Sequence, residues 1–400
     1  MKTMIGAAEA FALVREHARP CDPKEAWACD TLGFALGRSV VADRDYPPFD
    51  RATMDGFAVR LEHAGKTVLV RGEAKPGVAE GHGPDARHCV EIMTGAPCPS
   101  GTEAVVMKEE VKRDASPERA TLPAAITRGQ NIVRTGSECV RDAVVLPEGA
   151  VMTSVTLGLL AAVGQEMVWA RKLIVAVLIT GDEVVQSVDQ PGRVQIRDSN
   201  GPMIVAMARA AGVHVMTIYN IKDTPQALAS GLKAAEGADV VVLTGGVSAG
   251  NYDLVPKALV DHGATVVFHR VRQQPGKPLL FAVRGERLFF GLPGTPLGCH
   301  LGMFRYVVPA LRAKAGLAPA PPPEQGRLAA PWSASTDREQ FVLARVFREA
   351  TDAAWSVSPL APKGSSDLFT PWSANAYVNM KEGTRQLAAG AEVPFEWLVP

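Results

Sequence analysis

Apolar residues recur at helical spacing from residue 7 to residue 19, and the pattern breaks in the turn-rich stretch DRDYPPFDRATMDGFAV, whose paired prolines cannot continue a helix. From about 45 to 140 short β-branched runs (TVLV, CVEIM, AVVM, ATL) are separated by Gly and Pro clusters, the texture of a small β-rich domain. Residues 153–164, TSVTLGLLAAVG, read as a capped helix that stops at a glycine. From residue 173 the texture changes. Near-continuous apolar strands (LIVAVLI, HVMTIY, DVVVL, ATVVF, LLFAV) alternate with helices, which predicts a parallel sheet covered on both faces. Loops that follow such strands lie at the carboxyl edge of the sheet, where α/β folds bind ligands. A long helix, about 297–315, ends in AGLAPAPPPEQG, a stiff Pro-rich spacer. Beyond it, from 327 to 400, short alternating runs (QFVLARVF, AWSVSPL, AYVNM) predict a small β-barrel or sandwich.

Four hundred residues are too many for one compact core, and an apolar fraction of 47% with 21% charged residues is that of a folded globular chain. Lys plus Arg equals Asp plus Glu at 42 each, so there is no sustained positive field to recruit nucleic acid or an anionic membrane. Any anion must be held locally. The N-terminal stretch lacks the layout of a signal peptide and no apolar run has bilayer length, so the expectation is a cytoplasmic protein. Six scattered cysteines and eight histidines make no zinc-ligand spacing, which points to free thiols.

Chemistry concentrates in the loops after the strands. TGDE (Thr180, Gly181, Asp182, Glu183) follows LIVAVLI directly, and its adjacent carboxylates suit either a Mg²⁺ ion that keeps positions for phosphate or a helix N-terminus with an acid in its first turn. TGGVSAGNYD follows DVVVL, and Gly245, Gly246 and Gly250 let backbone N–H groups approach a phosphate or pyrophosphate, with Ser248 as a further donor. The same stretch contains GVSAG, a match to the nucleophile elbow of α/β-hydrolases, but Thr244 and Gly245 intervene between strand and motif and no HGGG-type segment precedes it. In QPGKP, Lys277 stands between two prolines, whose restricted backbone preorganises its charge toward an anion; a solvated turn lysine is the alternative. GLPGTP, with Pro293 and Pro296, opens the long helix, as an anion loop or as a packing turn. In the β-rich part, Asp55 lies in an Asp-Gly turn and Thr94 before a double-Pro loop, which alone are ordinary turn chemistry.

In order and spacing, PPFDRATMDGFAV, IMTGAPCPSGTEAVV, GQNIVRTG, GLLAAVG, TGDE, DSN, TGGVSAGNYD, QPGKP and GLPGTP resemble the molybdopterin molybdenumtransferase family, which includes the C-terminal domain of gephyrin. The resemblance runs from Pro47 to Pro296, with a fainter echo in KGSSDLFTPWSANAY. It implies a multidomain α/β plus β protein: a helical linking domain (1–44 with 141–172), a β-rich insertion domain (45–140), a central parallel-sheet α/β molybdopterin-binding domain (173–318) and a C-terminal β-barrel domain (327–400). It implies a homodimer in which Asp55 and Thr94 reach the partner's cleft, while Glu183, Asp239 and Asp253 line that cleft with Asp182, with Mg²⁺ held by Asp182, Glu183 and Asp253, and Lys277, Pro293 and Pro296 shape the anion site. Arg345, Ser365 and Ser366 are candidates for holding molybdate.

The implied reaction inserts molybdate into adenylyl-molybdopterin with release of AMP. An adenylyltransferase would be expected upstream and molybdoenzymes downstream. Two departures stand out: Thr295 replaces the family's usual Asn, and Gly136-Ser137-Glu138 replaces its usual Gly-Glu-Asp. The competing readings are a molybdopterin adenylyltransferase-like enzyme, which GGVSAG in place of a GGTG-type loop disfavours, and a non-catalytic cofactor-binding or scaffold relative.

Overall fold

The computed structural model describes residues 1–78, 81–114, 118–246, 254–348 and 354–398. The chain divides into two compact units, one of residues 1–38, 149–157 and 167–400, the other of residues 39–148 and 158–166.

The larger unit is built on a seven-stranded sheet in the order Lys2–Ile5, Thr265–Val271, Leu280–Arg284, Arg287–Leu292, Val240–Thr244, Ile174–Thr180, His214–Ile221. Its strands alternate their apolar side chains between two cores. Val175, Val177 and Ile179 face one core together with Ile204, Ala208 and the long C-terminal helix, whereas Ala176 and Leu178 face the other with Leu228, Leu232 and Leu259. Burial on both faces explains why these strands read as continuous apolar runs.

Leu280–Arg284 departs from the expected parallel arrangement, running antiparallel to both neighbours. Arg284 pairs with Arg287, so only Gly285 and Glu286 connect the two strands. A parallel connection needs a dozen or more residues, so two residues permit only a hairpin. The reversal has a functional consequence: the QPGKP segment joins the carboxyl end of Thr265–Val271 to Leu280–Arg284 and therefore lies at the same edge as the other strand-end loops. Lys2–Ile5 was also not anticipated as a strand; three of its four residues are exposed and only Ile5 is buried, so it carries no apolar pattern.

The long helix forms as Pro296–Gly302 and Val308–Lys314 joined by a π-helical turn, Met303–Val307. Pro309 accounts for the widened turn, because it lacks an N–H and its ring presses on the carbonyl of residue 305. After the Pro-rich spacer, the strands Glu339–Arg348, Trp355–Pro359, Glu324–Leu328, Glu392–Trp397 and Ala376–Met380 pair in that order and close, Ala376–Met380 pairing back to Glu339–Arg348. The result is a five-stranded barrel around Val346, Val357, Val378 and Phe395. Gln273–Gln274 adds beside Glu339–Gln340, so the stretch leading into QPGKP is hydrogen-bonded to the barrel.

The smaller unit is a six-stranded sheet in the order Ala104–Met107, Gly56–Val59, His88–Ile92, Thr67–Ala74, Arg119–Thr121, Lys112–Arg113, packed on Phe57, Val68, Val106 and Leu122. Gly56 is required there: a Cβ would sit 1.9 Å from the Val106 carbonyl oxygen.

Candidate functional site

In the smaller unit Asp55 and Thr94 form one cluster. Asp55 Oδ1 accepts hydrogen bonds from the Thr94 backbone N–H (2.8 Å) and hydroxyl (2.7 Å), and Lys108 Nζ lies 3.3 Å from Oδ2. These donors, the Thr94 backbone first, hold the Asp55 carboxyl down to about 2. It is an exposed, fixed anion with a lysine beside it. Glu138, the departure in TGSECV, binds Arg51 at 3.1 Å and so ties that turn to the segment bearing Asp55.

At the carboxyl edge of the large sheet the expected loops are interlocked. The Thr180 hydroxyl donates to the Thr244 carbonyl (3.2 Å), and the Thr244 hydroxyl donates to the Pro293 carbonyl (3.3 Å). Asn200, from DSN, donates to both Thr244 Oγ1 (3.0 Å) and the Gly294 carbonyl (2.8 Å), binding the TGG loop to GLPGTP. Gly245 has φ 93°, and a Cβ there would come within 2.6 Å of both the Thr180 carbonyl and hydroxyl oxygens. No other residue fits without moving Thr180. Ser248, Gly250 and Asp253 lie outside the described residues.

Two aspartates fall at opposite ends of this sheet. Asp239, expected in the cleft, instead precedes Val240 at the amino end, where its Oδ2 accepts from the Ile174 N–H (2.8 Å) and its backbone bonds both Ile174 and Leu288. Six residues of extended chain separate it from Gly245, roughly 20 Å, so the fold does not bring it to the carboxyl edge. Asp223 is there, on the turn after His214–Ile221, with its N–H 3.4 Å from Asp182 Oδ1 and its own Oδ1 4.0 Å from the space beside Gly246. Desolvation by the surrounding loops raises its pKa from the ordinary value; the Thr180 hydroxyl, shared with the Thr244 carbonyl, opposes the rise, and the charges of Asp182 and Glu183 add to it. Asp223 is not among the residues the sequence singles out, because the apolar run HVMTIY stops short of the strand's end at Ile221. The rule that loops after strands carry the chemistry would have reached it had the strand been followed to Ile221. Among the described residues no three His, Cys, Asp or Glu side chains converge as a formed metal site.

Glu183, Gly245, Gly246, Lys277, Pro293, Pro296, Ser365 and Ser366 all line one cleft of about 1690 Å³ between the sheet edge and the barrel. Lys277 is exposed, but its loop is not loose. The Lys277 carbonyl accepts from Val271 and Leu279 N–H, Gln273 Nε2 donates to the Gly276 carbonyl (3.3 Å), and the buried Tyr306 hydroxyl donates to Gln273 Oε1. Ser365 accepts from the Leu297 N–H at 2.9 Å, which anchors the barrel loop on the helix that GLPGTP opens. Thr295, the other departure, occupies that helix's N-cap and makes no side-chain cap bond. Arg345 is not among the cleft residues: it projects, exposed, from the barrel strand opposite Ser358. Arg338 and Arg197 line the cleft in its stead, Arg338 fixed by a 3.0 Å bond to the Gln273 carbonyl.

Three family models match the chain end to end: the MoeA N-terminal region (domain I and II) over residues 5–164, the probable molybdopterin binding domain over 176–313, and the MoeA C-terminal region (domain IV) over 325–398. The chain belongs to the molybdopterin molybdenumtransferase (MoeA) family. Curated relatives named molybdopterin molybdenumtransferase include those of Staphylococcus epidermidis, 31% identical over 90% of this chain and 88% of the relative, and Bacillus subtilis, 30% identical over 91% and 87%. The crystal structure of the molybdopterin biosynthesis MoeA protein from Pyrococcus horikoshii superposes with a TM-score of 0.81 at 26% identity, covering 98% of this chain and 99% of that one. For this MoeA-family chain, the multidomain α/β plus β architecture with a closed C-terminal barrel stands as the sequence implied. No helix among the described residues is long and apolar enough to cross a membrane.

Proposed function

We propose that this enzyme of molybdenum cofactor biosynthesis inserts molybdate into adenylyl-molybdopterin and releases AMP. The observation that carries this reading is the cleft itself: a glycine floor at Gly245 and Gly246, a fixed-loop cation at Lys277 and an acidic margin at Glu183 open onto one space. The Gly245 N–H is spent on the Leu292 carbonyl (3.2 Å), so the positive-φ glycine pair serves a pyrophosphate by leaving room for close approach, and a lysine on a buttressed loop holds a tetrahedral oxyanion as a point charge. Cleavage of the phosphoanhydride by water gives AMP and the pterin monophosphate, and the dithiolene, as its dithiol, forms two Mo–S bonds while one molybdate oxygen leaves as water carrying the two thiol protons.

Glu183 lines the cleft, and Asp182 and Asp223, beside it and Gly246, add further hard oxygen donors. The Asp223 pKa is raised first by desolvation and in smaller part by the charges of Asp182 and Glu183, and that repulsion is what a Mg²⁺ ion would relieve. Such an ion would neutralise phosphate charge. The Asp55–Thr94–Lys108 cluster belongs to the smaller unit, and in this reading a homodimer supplies it to the partner's cleft. The enzyme acts in the cytoplasm, between an adenylyltransferase and the molybdoenzymes that take its product.

The test is AMP release from adenylyl-molybdopterin with and without molybdate, before and after chelation and Mg²⁺ return. Molybdate-dependent release that chelation abolishes is the expected result. Incorporation of AMP from ATP would instead make the protein an adenylyltransferase, and binding without turnover a scaffold. Light scattering should give about twice 42.4 kDa.

A further inference from the structure

The barrel loop from 363 to 374 alternates burial in an unusual sense. Leu368 and Ala374 pack toward the α/β core and Pro371 is buried, while the two largest side chains point outward, Phe369 at 89% exposure and Trp372 at 84%. Water is the costly place for an aromatic ring, and a loose loop would fold both rings down. This loop is not loose. Asp367 accepts hydrogen bonds from the backbone N–H groups of Lys363 (2.9 Å), Phe369 (3.0 Å) and Thr370 (3.1 Å) and from the Thr370 hydroxyl (2.6 Å). That set of donors depresses the Asp367 pKa and keeps the carboxylate ionised as a staple. Ser365, two residues before it, is anchored to the Leu297 N–H at the start of the anion-loop helix.

Of the two outward rings only Phe369 lines the cleft, alongside Lys277, Ser365 and Arg338. A rigid, presented aromatic face beside fixed cations matches a ligand that has both a flat heterocycle and an anionic group, because stacking and charge are then satisfied together. We infer that Phe369 is a stacking platform for the flat heterocycle of a phosphate-bearing ligand, set at the barrel rim of the cleft. The inference rests on the proposed reading, in which the ligand carries two such rings, the pterin and the adenine. Trp372, equally exposed but outside the cleft lining, has no part in it.

Calorimetric titration of the full chain with AMP, with 6-hydroxymethylpterin and with molybdate, for wild type, Phe369→Ala, Phe369→Tyr and Trp372→Ala, decides the matter. Phe369→Ala should weaken AMP or the pterin about tenfold, the scale of one lost ring stack, and leave molybdate binding unchanged; Phe369→Tyr and Trp372→Ala should match wild type. Loss confined to AMP assigns the adenine, and loss confined to the pterin assigns that ring. Equal affinity of Phe369→Ala and wild type for both rings, or no binding of either ring by wild type, overturns the inference. So does a fall in self-association caused by Phe369→Ala and Trp372→Ala alike without loss of ring binding, which would make the rings an interface between copies. If AMP release proves independent of molybdate while Phe369→Ala still weakens ring binding, the proposed reaction fails and the platform stands.

Discussion

Asp223 and Asp239 are the same residue type at opposite ends of one sheet, and their surroundings make them different groups. Asp239 spends its carboxylate on the Ile174 N–H and its backbone on two neighbouring strands, so it is a staple at the amino edge. Asp223 is exposed at the carboxyl edge, where desolvation by the loops around it and the charges of Asp182 and Glu183 disfavour its ionised form, and only a shared Thr180 hydroxyl and a hydrogen bond with the Asp182 residue oppose them. An acid that structure satisfies contributes to stability. An acid that structure frustrates is available to a ligand, and the pairing of strain with function is the expected one.

The sharpest way to break this contrast is to neutralise each acid in turn. Asp223→Asn should lower turnover on the order of 100-fold, since a ligand-facing carboxylate acts chiefly where charge is redistributed, and should leave thermal stability unchanged or raised. Asp239→Ala should do the reverse, costing about 2 kcal/mol of stability for a charge-assisted bond while kcat/KM stays within about twofold. Turnover and thermal unfolding of both variants check the pair; equal losses of activity would erase the distinction. A pH profile sharpens it. The raised pKa of Asp223 places the acid limb above the ordinary carboxylate value, with activity lost as pH falls through it. Asp182→Asn removes one repelling charge and should move that limb downward without reaching the ordinary value, because desolvation, the largest cause, remains.

A smaller effect is expected at Lys277. Lys277→Ala should weaken oxyanion binding about tenfold at low salt, and the loss should shrink toward high ionic strength because the side chain is exposed and screened. Titration of molybdate at two salt concentrations reads it directly. A salt-independent defect would mean that the residue acts through loop geometry and not through charge.

Strands buried on both faces, such as Ile174–Thr180 and Val240–Thr244, were legible because burial writes itself as apolar runs, and the loops after them were legible by the same token. The reversed strand Leu280–Arg284 was equally apolar, so its direction could be read only from the two-residue link to Arg287. Lys2–Ile5 was illegible because an exposed edge strand selects for pairing and not for composition. The cleft followed the same division. Glycines at Gly245 and Gly246 leave a sequence signature because backbone geometry demands them, whereas Arg338 and Arg197 are single residues recognisable only from what they face. Arg345 showed the converse: it shares the outward face of its strand with Phe341 and Leu343, which line the cleft, but lies beyond them, and a motif does not say how far along a strand the cleft extends.

The smallest expected effect lies at Tyr306, on the π turn, and it tests whether the Lys277 loop is merely packed or positioned. Tyr306 and Gln273 are both fully buried; the hydroxyl fixes the amide, and the amide holds the Gly276 carbonyl next to Lys277. Tyr306→Phe keeps the ring but leaves an amide oxygen buried without its donor, which should cost about 1–3 kcal/mol of stability and a few-fold in oxyanion affinity. The decisive comparison is the double variant Tyr306→Phe/Gln273→Met, which removes both polar partners at nearly constant volume. Stability should then recover in large part, because the fully buried amide oxygen is gone and the group left without its donor is the half-buried Gly276 carbonyl. Oxyanion affinity should not recover, because the amide left unfixed in the single variant is now absent and nothing holds the Gly276 carbonyl. If affinity returns together with stability, the relay is packing alone, and Lys277 owes its placement to the backbone bonds to Val271 and Leu279.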